Sequence, residues 1–554
     1  MTTAAGVARP RRTARLFRLL PTRGDYRGLR SSWRLDALAG VTVGIVALPL
    51  ALAFGVSSGA GAASGLVTAI IAGIVAAVFG GSNVQVSGPT GAMVVVLGPI
   101  VATQGAGVLA AVCIVAGVIV AAAGVLRLGR AVTYIPWPVI EGFTLGIAII
   151  IFLQQVPAAV GAKPVPSSNA FLAAVDAVAA SDWVSAAWSL GIVAVVVAVM
   201  VVAPRIHTAI PASIIAIILV SVAAWLLDAP VATIGTLPDA LPAPRLPDLN
   251  WQTLIALAGP AFTVAALAAI ESLLSARVAA STSGTGAYDA DRELLGQGLA
   301  SVAAGFFGGM PATGAIARTA VNIRAGARTR LAAIVHALVL LGVVYVGSGI
   351  VADIPLAALA GVLMVTSVKM VPAGAIRTIM ASTRADAIVF LVTALVTVTF
   401  DLIYAVAIGI IAAAFFALRT LVDSSGVHRD ELPPPPQEGD ERIALFRLEG
   451  ALFFGAAEHV LRRIAGIEQV SVVILRMSQL QILDATGAQV ITELVHTLER
   501  RGITVLIKGI PAEHLRLATR VGVISSLRHH KHLFTDLDDA IAHARSHVRR
   551  ELDG

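Results

Sequence analysis

Apolar runs recur along this chain from Leu35 to about Leu421, each near the ~20 residues that a helix needs to cross about 30 Å of hydrocarbon. Inside a bilayer the backbone has no water to meet, so each run must satisfy its own donors and acceptors as a helix or lie buried in protein. Composition agrees: 57% of the 554 residues are hydrophobic and 13% are charged, against about 25% charged in soluble domains. An α-helical polytopic membrane protein is the expected class.

Fourteen segments are expected, at 35–55, 61–80, 84–99, 104–126, 134–157, 184–203, 209–227, 253–280, 293–307, 312–324, 328–350, 355–371, 384–400 and 402–421. Nine arginines, Arg9 to Arg34, precede the first and predict a cytoplasmic amino terminus. The same side then collects Arg127, Arg130, Arg205, Arg277, Arg292, Arg324, Arg328, Arg330, Lys369, Arg377 and Arg384, while the other side shows little beyond Lys163 and Arg245. This bias fits fourteen crossings of a bacterial inner membrane with both termini cytoplasmic. The formal charge of +7 therefore reads as topology and contact with anionic lipid, and no nucleic-acid partner is expected. No secretory signal is expected either, because "LFRLLP" at 16–21 is too short for one. Cys113 is the one cysteine; it falls in an apolar span, which predicts a buried thiol and excludes a disulfide framework or a Cys-based metal site.

Past Arg419 the character changes. The organisation expected is an Arg-rich segment (1–33), a membrane domain (34–421), a linker (422–441) and a soluble α/β domain (442–554). The linker call rests on the charged, proline-rich "HRDELPPPPQEGDER" at 428–442, which should be extended and solvated. In the tail, "IALFRLEG" (443–450), "VSVVILRM" (470–477) and "GITVLIKG" (502–509) read as strands. "AAEHVLRRIAG", "ATGAQVITELVHTLERRG" and "AEHLRLATRVG" read as amphipathic helices.

Two short stretches break the membrane pattern. "FGG" at 79–81 precedes "SGPTGA" (87–92), and "FGG" at 307–309 precedes "PATGA" (311–315); each stands at the third segment of its seven-segment half. Seven being odd, the halves have opposite orientation. Interrupted segments at matching places in two halves point to a transporter's binding site. A half-helix that starts at mid-depth offers free N–H groups and about half a unit of positive charge. Two such starts, at Ser87, Thr90, Gly91 and Ala92 and at Thr313, Gly314 and Ala315, suit an anion; packing kinks from small residues are the alternative.

Two charges stand close by. Arg318 lies on the turns just inside the second half-helix and adds positive charge to such a pocket; snorkelling to the surface or pairing with a carboxylate are the alternatives. Glu271, in "FTVAALAAIESLLSARVA" (262–279), suits a coupling proton, and Ser275, four residues on along the same face, could join it around a small cation. A structural pair of Glu271 with Arg318 or Arg277 is the other reading. Glu141 reads as an interfacial carboxylate.

"GGSNVQVSGPTGAMVVV" (80–96) resembles the signature around the third span of the sulfate permease family. "ESLLSARVA" and "RELLGQGLASVAAGFFGGMPATGAIARTAVNIRAGART" (292–329) are similar to its eighth-to-tenth-span block. The tail, with "VVILRMSQLQILDATGAQVITELV" (472–495), resembles a STAS domain. The resemblance implies two inverted seven-helix repeats forming a core domain and a gate domain, usually as a homodimer. It implies an anion site between the third and tenth helices, closed by Leu50 and Phe54 of the first. It assigns Arg318 to the tenth-helix arginine and Glu271 to the coupling-ion site of the eighth. Many members carry a glutamine where "LPLALAF" has Leu50, so one polar contact to the anion is missing here. In "DATG" (484–487), Thr486 stands where anti-sigma antagonists carry a phosphorylatable hydroxyl; helix capping is its favoured role.

The expected function is secondary import of a dicarboxylate, sulfate or bicarbonate by H⁺ symport with alternating access. An uncoupled channel or exchanger and a Na⁺-coupled bicarbonate transporter are the alternatives. No enzyme, cofactor or metal site is expected: no nucleophile–base pair or phosphate loop stands out, and the "HHKH" run (529–532) reads as solvated, with no matching ligands nearby. A cytoplasmic protein partner of the STAS domain is the remaining expectation.

Overall fold

The computed structural model describes residues 19–553 except 27, 163–169, 208–210, 248–249, 372, 400–401, 425, 454–463 and 465–466, and the side chains of 131–133, 184–185, 402–404 and 423–424. The chain divides into two compact units, Met1–Ile410 and Ile411–Gly554.

All fourteen expected segments carry a helix. They are α1 (Leu29–Ser57), α2 (Ala62–Phe79), α3 (Gly91–Gln104), α4 (Leu109–Val125), α5 (Trp137–Ala159), α7 (Trp183–Ile206), α8 (Ala212–Leu226), α9 (Trp251–Ser283), α10 (Ala290–Phe306), α11 (Ile316–Arg324), α12 (Leu331–Ala352), α13 (Leu356–Met370), α15 (Arg384–Thr399) and α16 (Leu402–Ser424). Two short helices, α6 (Ala170–Ala179) and α14 (Ala373–Ala381), were not foreseen. Among the described residues nine helices are long and apolar enough to cross a membrane. The last of these, Ala405–Val422, has only 11% of its apolar window buried, and the division between the units falls inside it instead of at residue 421.

Packing follows the repeat. Helix α4 packs on α10, α2 on α10 and α1 on α12, whereas α5 packs on α13 and α15, and α7 on α13. The first four segments thus interlock with the eighth to eleventh, and the later segments of each half pack among themselves. Where α2, α4 and α10 meet, the buried side chains are Ala72, Ala76, Cys113, Ala300 and Ala304. Small residues let backbones approach, which matters where lipid removes the hydrophobic drive between helices. Cys113 is buried as expected and donates to the carbonyl of Ser301 at 3.0 Å.

Two arginines expected at the cytoplasmic surface are buried instead. Arg330 is 2% exposed and donates to the carbonyls of Ala77 and Gly80 at 3.0 and 2.7 Å. Arg292 pairs with Asp25 at 2.9 Å. Both close off the carboxyl end of α2, whose last carbonyls lack helical partners.

In the second unit, five strands line up as β3 (Gly426–Asp430), β4 (Ile443–Leu452), β5 (Val472–Leu483), β6 (Thr504–Lys508) and β7 (Leu533–Phe534), with β3 antiparallel to β4 and the others parallel. Alternation along β5 gives each face its own core. Val473, Leu475 and Met477 join Ile491, Leu494 and Leu498 of α17 (Ala485–Arg500) on one face. Val472 and Ile474 join Ile541, Ala544 and Val548 of the final helix, Leu537–Leu552, on the other. Two further helices, α18 and α19, span Ala512–Val521 and Val523–Ser526. The expected helix "AAEHVLRRIAG" lies outside the described residues but for Ile464.

Three expectations fail here. Gly426–Asp430 lies in the expected linker yet forms a strand, because its backbone pairs with β4 across its full length. Thr486 does not cap α17; Asp484 is the N-cap, its Oδ1 accepting from the Gly487 amide at 2.7 Å. "HHKH" is not wholly solvated, since His532 is 2% exposed and its ring meets those of His543 and His547.

Candidate anion site

The two interruptions meet. Ser87–Gly88 (β1) and Thr313–Gly314 (β2) form a two-residue antiparallel pair, Ser87 opposite Gly314 and Gly88 opposite Thr313. Each leads into a half-helix, α3 of 14 residues and α11 of 9, about 21 and 14 Å long at 1.5 Å per residue. Pairing the two extended stretches with each other satisfies backbone that could not face lipid. Glycine is required at this crossing: a Cβ on Gly314 would collide with the Gln85 amide nitrogen, and one on Gly88 would lie 2.6 Å from Arg318 Nη1.

Helix α3 begins without a side-chain cap. Thr90 is its N-cap residue, but its hydroxyl donates to Glu271 Oε2 at 2.8 Å instead. Thr313 donates to the same oxygen at 2.8 Å, and the two threonine hydroxyls are 3.1 Å apart. One carboxylate oxygen of α9 therefore holds both half-helix starts. Three amides, those of Gly91, Ala92 and Met93, precede the first helical bond, which Val94 makes to the Thr90 carbonyl.

The second half-helix differs from expectation. The Gly314 amide donates to Ser272 Oγ at 3.1 Å and the Ala315 amide to the Val86 carbonyl at 2.8 Å, so neither is free for an anion. The uncommitted first turn of α11 is Ile316, Ala317 and Arg318, ahead of the bond from Thr319 to Ala315. Sequence reasoning placed these donors three residues early because β2 could not be seen without its partner strand.

Arg318 is 1% exposed. Its Nη2 donates to the Pro89 carbonyl, and Nη1 has no hydrogen-bond partner. It does not reach the surface, and no carboxylate among the described residues lies within 4.0 Å of it, although Glu271 is near enough to act on it. Ser275 is buried 3.4 Å from the Thr319 hydroxyl, which itself accepts from the Val86 amide at 3.0 Å; Thr90 and Thr313, not Ser275, join Glu271. Glu141 accepts from the Trp137 indole at 2.9 Å, one turn away.

Leu50 and Phe54 are both buried. Phe54 and Ile151 cover Gly91, where an added Cβ would meet both side chains. Beyond them lies a cavity of about 940 Å³ bounded by α1, α3, α5, α9 and α13, with Ala53, Ser57, Val95, Gln154, Gln155 and Thr263 in its wall. Its floor at Ala53 and Val95 is about one helical turn from the start of α3, while the expected anion residues themselves do not line it. Ile151, Gln85, Ser272 and Thr319 were missed from the sequence. Gln85 and Ser272 sit in stretches rich enough in polar residues to have been flagged, whereas Ile151 is one apolar residue among many.

Comparison with known proteins shows the family. Residues 33–393 match the model of the sulfate permease family, and residues 435–540 match that of the STAS domain. "Putative sulfate transporter YvdB" of Bacillus subtilis is 31% identical over 93% of this chain and 99% of its own length. "Bicarbonate transporter BicA" of Synechocystis is 31% identical over 88% of this chain and 90% of its own. Among solved structures, the murine anion transporter Solute Carrier 26 family member A9, in an inward-facing state, covers 98% of this chain and 96% of its own at 18% identity with a TM-score of 0.82. The transmembrane domain of a cyanobacterial BicA covers 69% of this chain and 97% of its own at 32% identity and 0.59. With both domains matched in order along its length, this chain belongs to the sulfate permease family of anion transporters and carries a STAS domain.

Proposed function

We propose that this protein is a secondary active importer of a small anion, with the anion held at the start of α3 and the first turn of α11 and a coupling proton held on Glu271. One observation carries the reading: the Glu271 carboxylate takes a hydrogen bond from the first threonine of each half-helix. An ionised Glu271 sets a negative charge beside the two positive helix ends and opposes an anion there. At roughly 6 Å and an effective dielectric constant of 20 that repulsion is about 3 kcal/mol, or about 100-fold in affinity. Protonating Glu271 removes it, so proton and anion favour each other's binding. Binding energies are reciprocal in this sense, which is what symport requires.

Access in this reading runs through the 940 Å³ cavity, which lies at the Gln104 end of α3. With a cytoplasmic amino terminus and fourteen crossings, that end is the outer one, so an anion would enter the cavity and wait on Phe54 and Ile151. Sulfate and bicarbonate are the candidates that the relatives' names support; a dicarboxylate rests on the resemblance alone. The protein would sit in a bacterial inner membrane as a homodimer.

Three oxygens, those of Glu271, Thr90 and Thr313, converge here, and this favours Na⁺ as the second reading of the coupling ion. Proteoliposome uptake of sulfate and of bicarbonate, driven separately by a pH gradient and by a Na⁺ gradient, separates the readings. Uptake that follows the pH gradient and is lost in Glu271→Gln supports symport with H⁺. Flux indifferent to both gradients and to the substitution would leave an uncoupled pathway.

A further inference from the structure

The "HHKH" run leads into an arrangement that the transport reading does not use. His532 ends a short turn, His530–His532, just before edge strand β7, and His543 and His547 stand one turn apart on α20 (Leu537–Leu552). Their ring centroids are 5.5 Å (His532 to His543), 5.6 Å (His532 to His547) and 4.9 Å (His543 to His547) apart. One ring nitrogen from each lies within 4.8 Å of the other two.

Two features set this apart from ordinary packing of histidines. First, the Nε2 atoms of His543 and His547 face each other at 3.3 Å. Two nitrogens bound to one tetrahedral zinc at about 2.0–2.1 Å lie about 3.3–3.4 Å apart, so this pair already has the required bite. Second, His532 is 2% exposed and its Nδ1 has no hydrogen-bond partner. A buried, unpaired ring nitrogen is costly unless something binds it.

We propose that His532, His543 and His547 form a site for a divalent transition metal of the zinc type, with three imidazole ligands and a fourth position left to solvent. Imidazole suits zinc, nickel or copper, and an all-nitrogen site excludes magnesium and calcium, which require oxygen. The surroundings restrict it further. Arg528, Lys531 and Arg550 lie near enough to act on these rings, and Glu551 is the one carboxylate that does. A site with that charge balance takes only metals with strong affinity for nitrogen. Binding would tie the last helix to the edge of the sheet at β7, adding to the contact of Phe534 with His543 and to the core around Ile541, Ala544 and Val548.

The test uses the full chain, purified in detergent without a polyhistidine tag and dialysed to equilibrium against buffered Zn²⁺ or Co²⁺. Metal per chain is read by mass spectrometry, and geometry by the visible absorption of Co²⁺. One metal per chain with a tetrahedral Co²⁺ spectrum is expected, and an affinity about 100-fold lower in His543→Gln or His547→Gln, since even outer-shell losses cost about 10–100-fold. Both residues are only partly buried, so either variant should fold; circular dichroism checks this. His428→Gln, an exposed histidine of β3, should change nothing. Failure to retain metal, an octahedral Co²⁺ spectrum, or unchanged binding in the double variant His543→Gln/His547→Gln would overturn the site and leave the three rings as packing.

Discussion

Replacing Thr90 and Thr313 by valine, singly and together, tests whether Glu271 is the tie between the two half-helices. Valine keeps the shape and removes the hydroxyl. Each single change deletes a 2.8 Å bond to a carboxylate oxygen, and hydrogen bonds to charged groups contribute about 1.5–3 kcal/mol. A single substitution should therefore cost about 1.5–3 kcal/mol. The double variant leaves their shared oxygen without either donor, and an unsatisfied buried acceptor costs about 1–3 kcal/mol, so its cost should exceed the sum of the singles by about 1 kcal/mol or more. Equilibrium unfolding by dodecyl sulfate in mixed micelles measures all four corners of the cycle. Additivity within about 0.5 kcal/mol, or single costs below about 1 kcal/mol, would refute the shared-acceptor geometry.

Phe54→Ala removes a ring that covers Gly91 at the edge of the cavity; because solvent can enter, the loss should sit near the low end, about 3 kcal/mol, and proteoliposomes should show downhill anion leak that wild type lacks. Unchanged leak would mean that Phe54 is not a closing residue. Gly314→Ala should abolish uptake while the protein still inserts, since the new methyl meets the Gln85 amide and overpacking costs about 1–3 kcal/mol. Adding Gln85→Ala should restore part of the uptake, and absence of rescue would locate the damage elsewhere. In the soluble domain, two bonds of 2.8 Å from Arg545 hold the Asp440 carboxyl below the usual carboxylate range. A depressed folded value contributes stability above the unfolded pKa of about 3.9 that is lost as pH falls through the folded one. Hydrogen exchange in α20, corrected for intrinsic rates, should thus be faster in Asp440→Asn at neutral pH, with the difference closing in acid; a difference that persists in acid would assign the effect to packing.

The fourteen helices were legible because apolar length is a local property, and the two broken ones because glycine and proline mark them. The strands of the tail followed from alternation. What stayed hidden depends on partners far along the chain. Gly426–Asp430 is polar, with nothing strand-like about it until β4 lies alongside. Helix α20 was not foreseen, although Leu537, Ile541, Ala544 and Val548 recur at helical spacing, because its many charged residues mask that stripe. At the candidate site, the expected residues come together but not in the expected pairings. Glu271 was recognised by its isolation among apolar neighbours, but its partners are 181 and 42 residues away, and Ser275, close in sequence, does not reach it. Arg330 looked like a surface charge because sequence shows how many arginines a loop has and not which carbonyls they close.

The pairing of β1 with β2 also sets a timetable. Thr90 and Thr313 are 223 residues apart, and at about 5–20 residues per second a ribosome needs roughly 10–45 s to make the second after the first. During that interval the first half-helix enters the membrane with the extended stretch before it unpaired and with neither Glu271 nor its own mirror image yet available. The candidate site is thus a seam that cannot close until more than half of the chain has been made, and the first half must be sheltered at this point by lipid headgroups, by water or by the insertion machinery until the second half arrives.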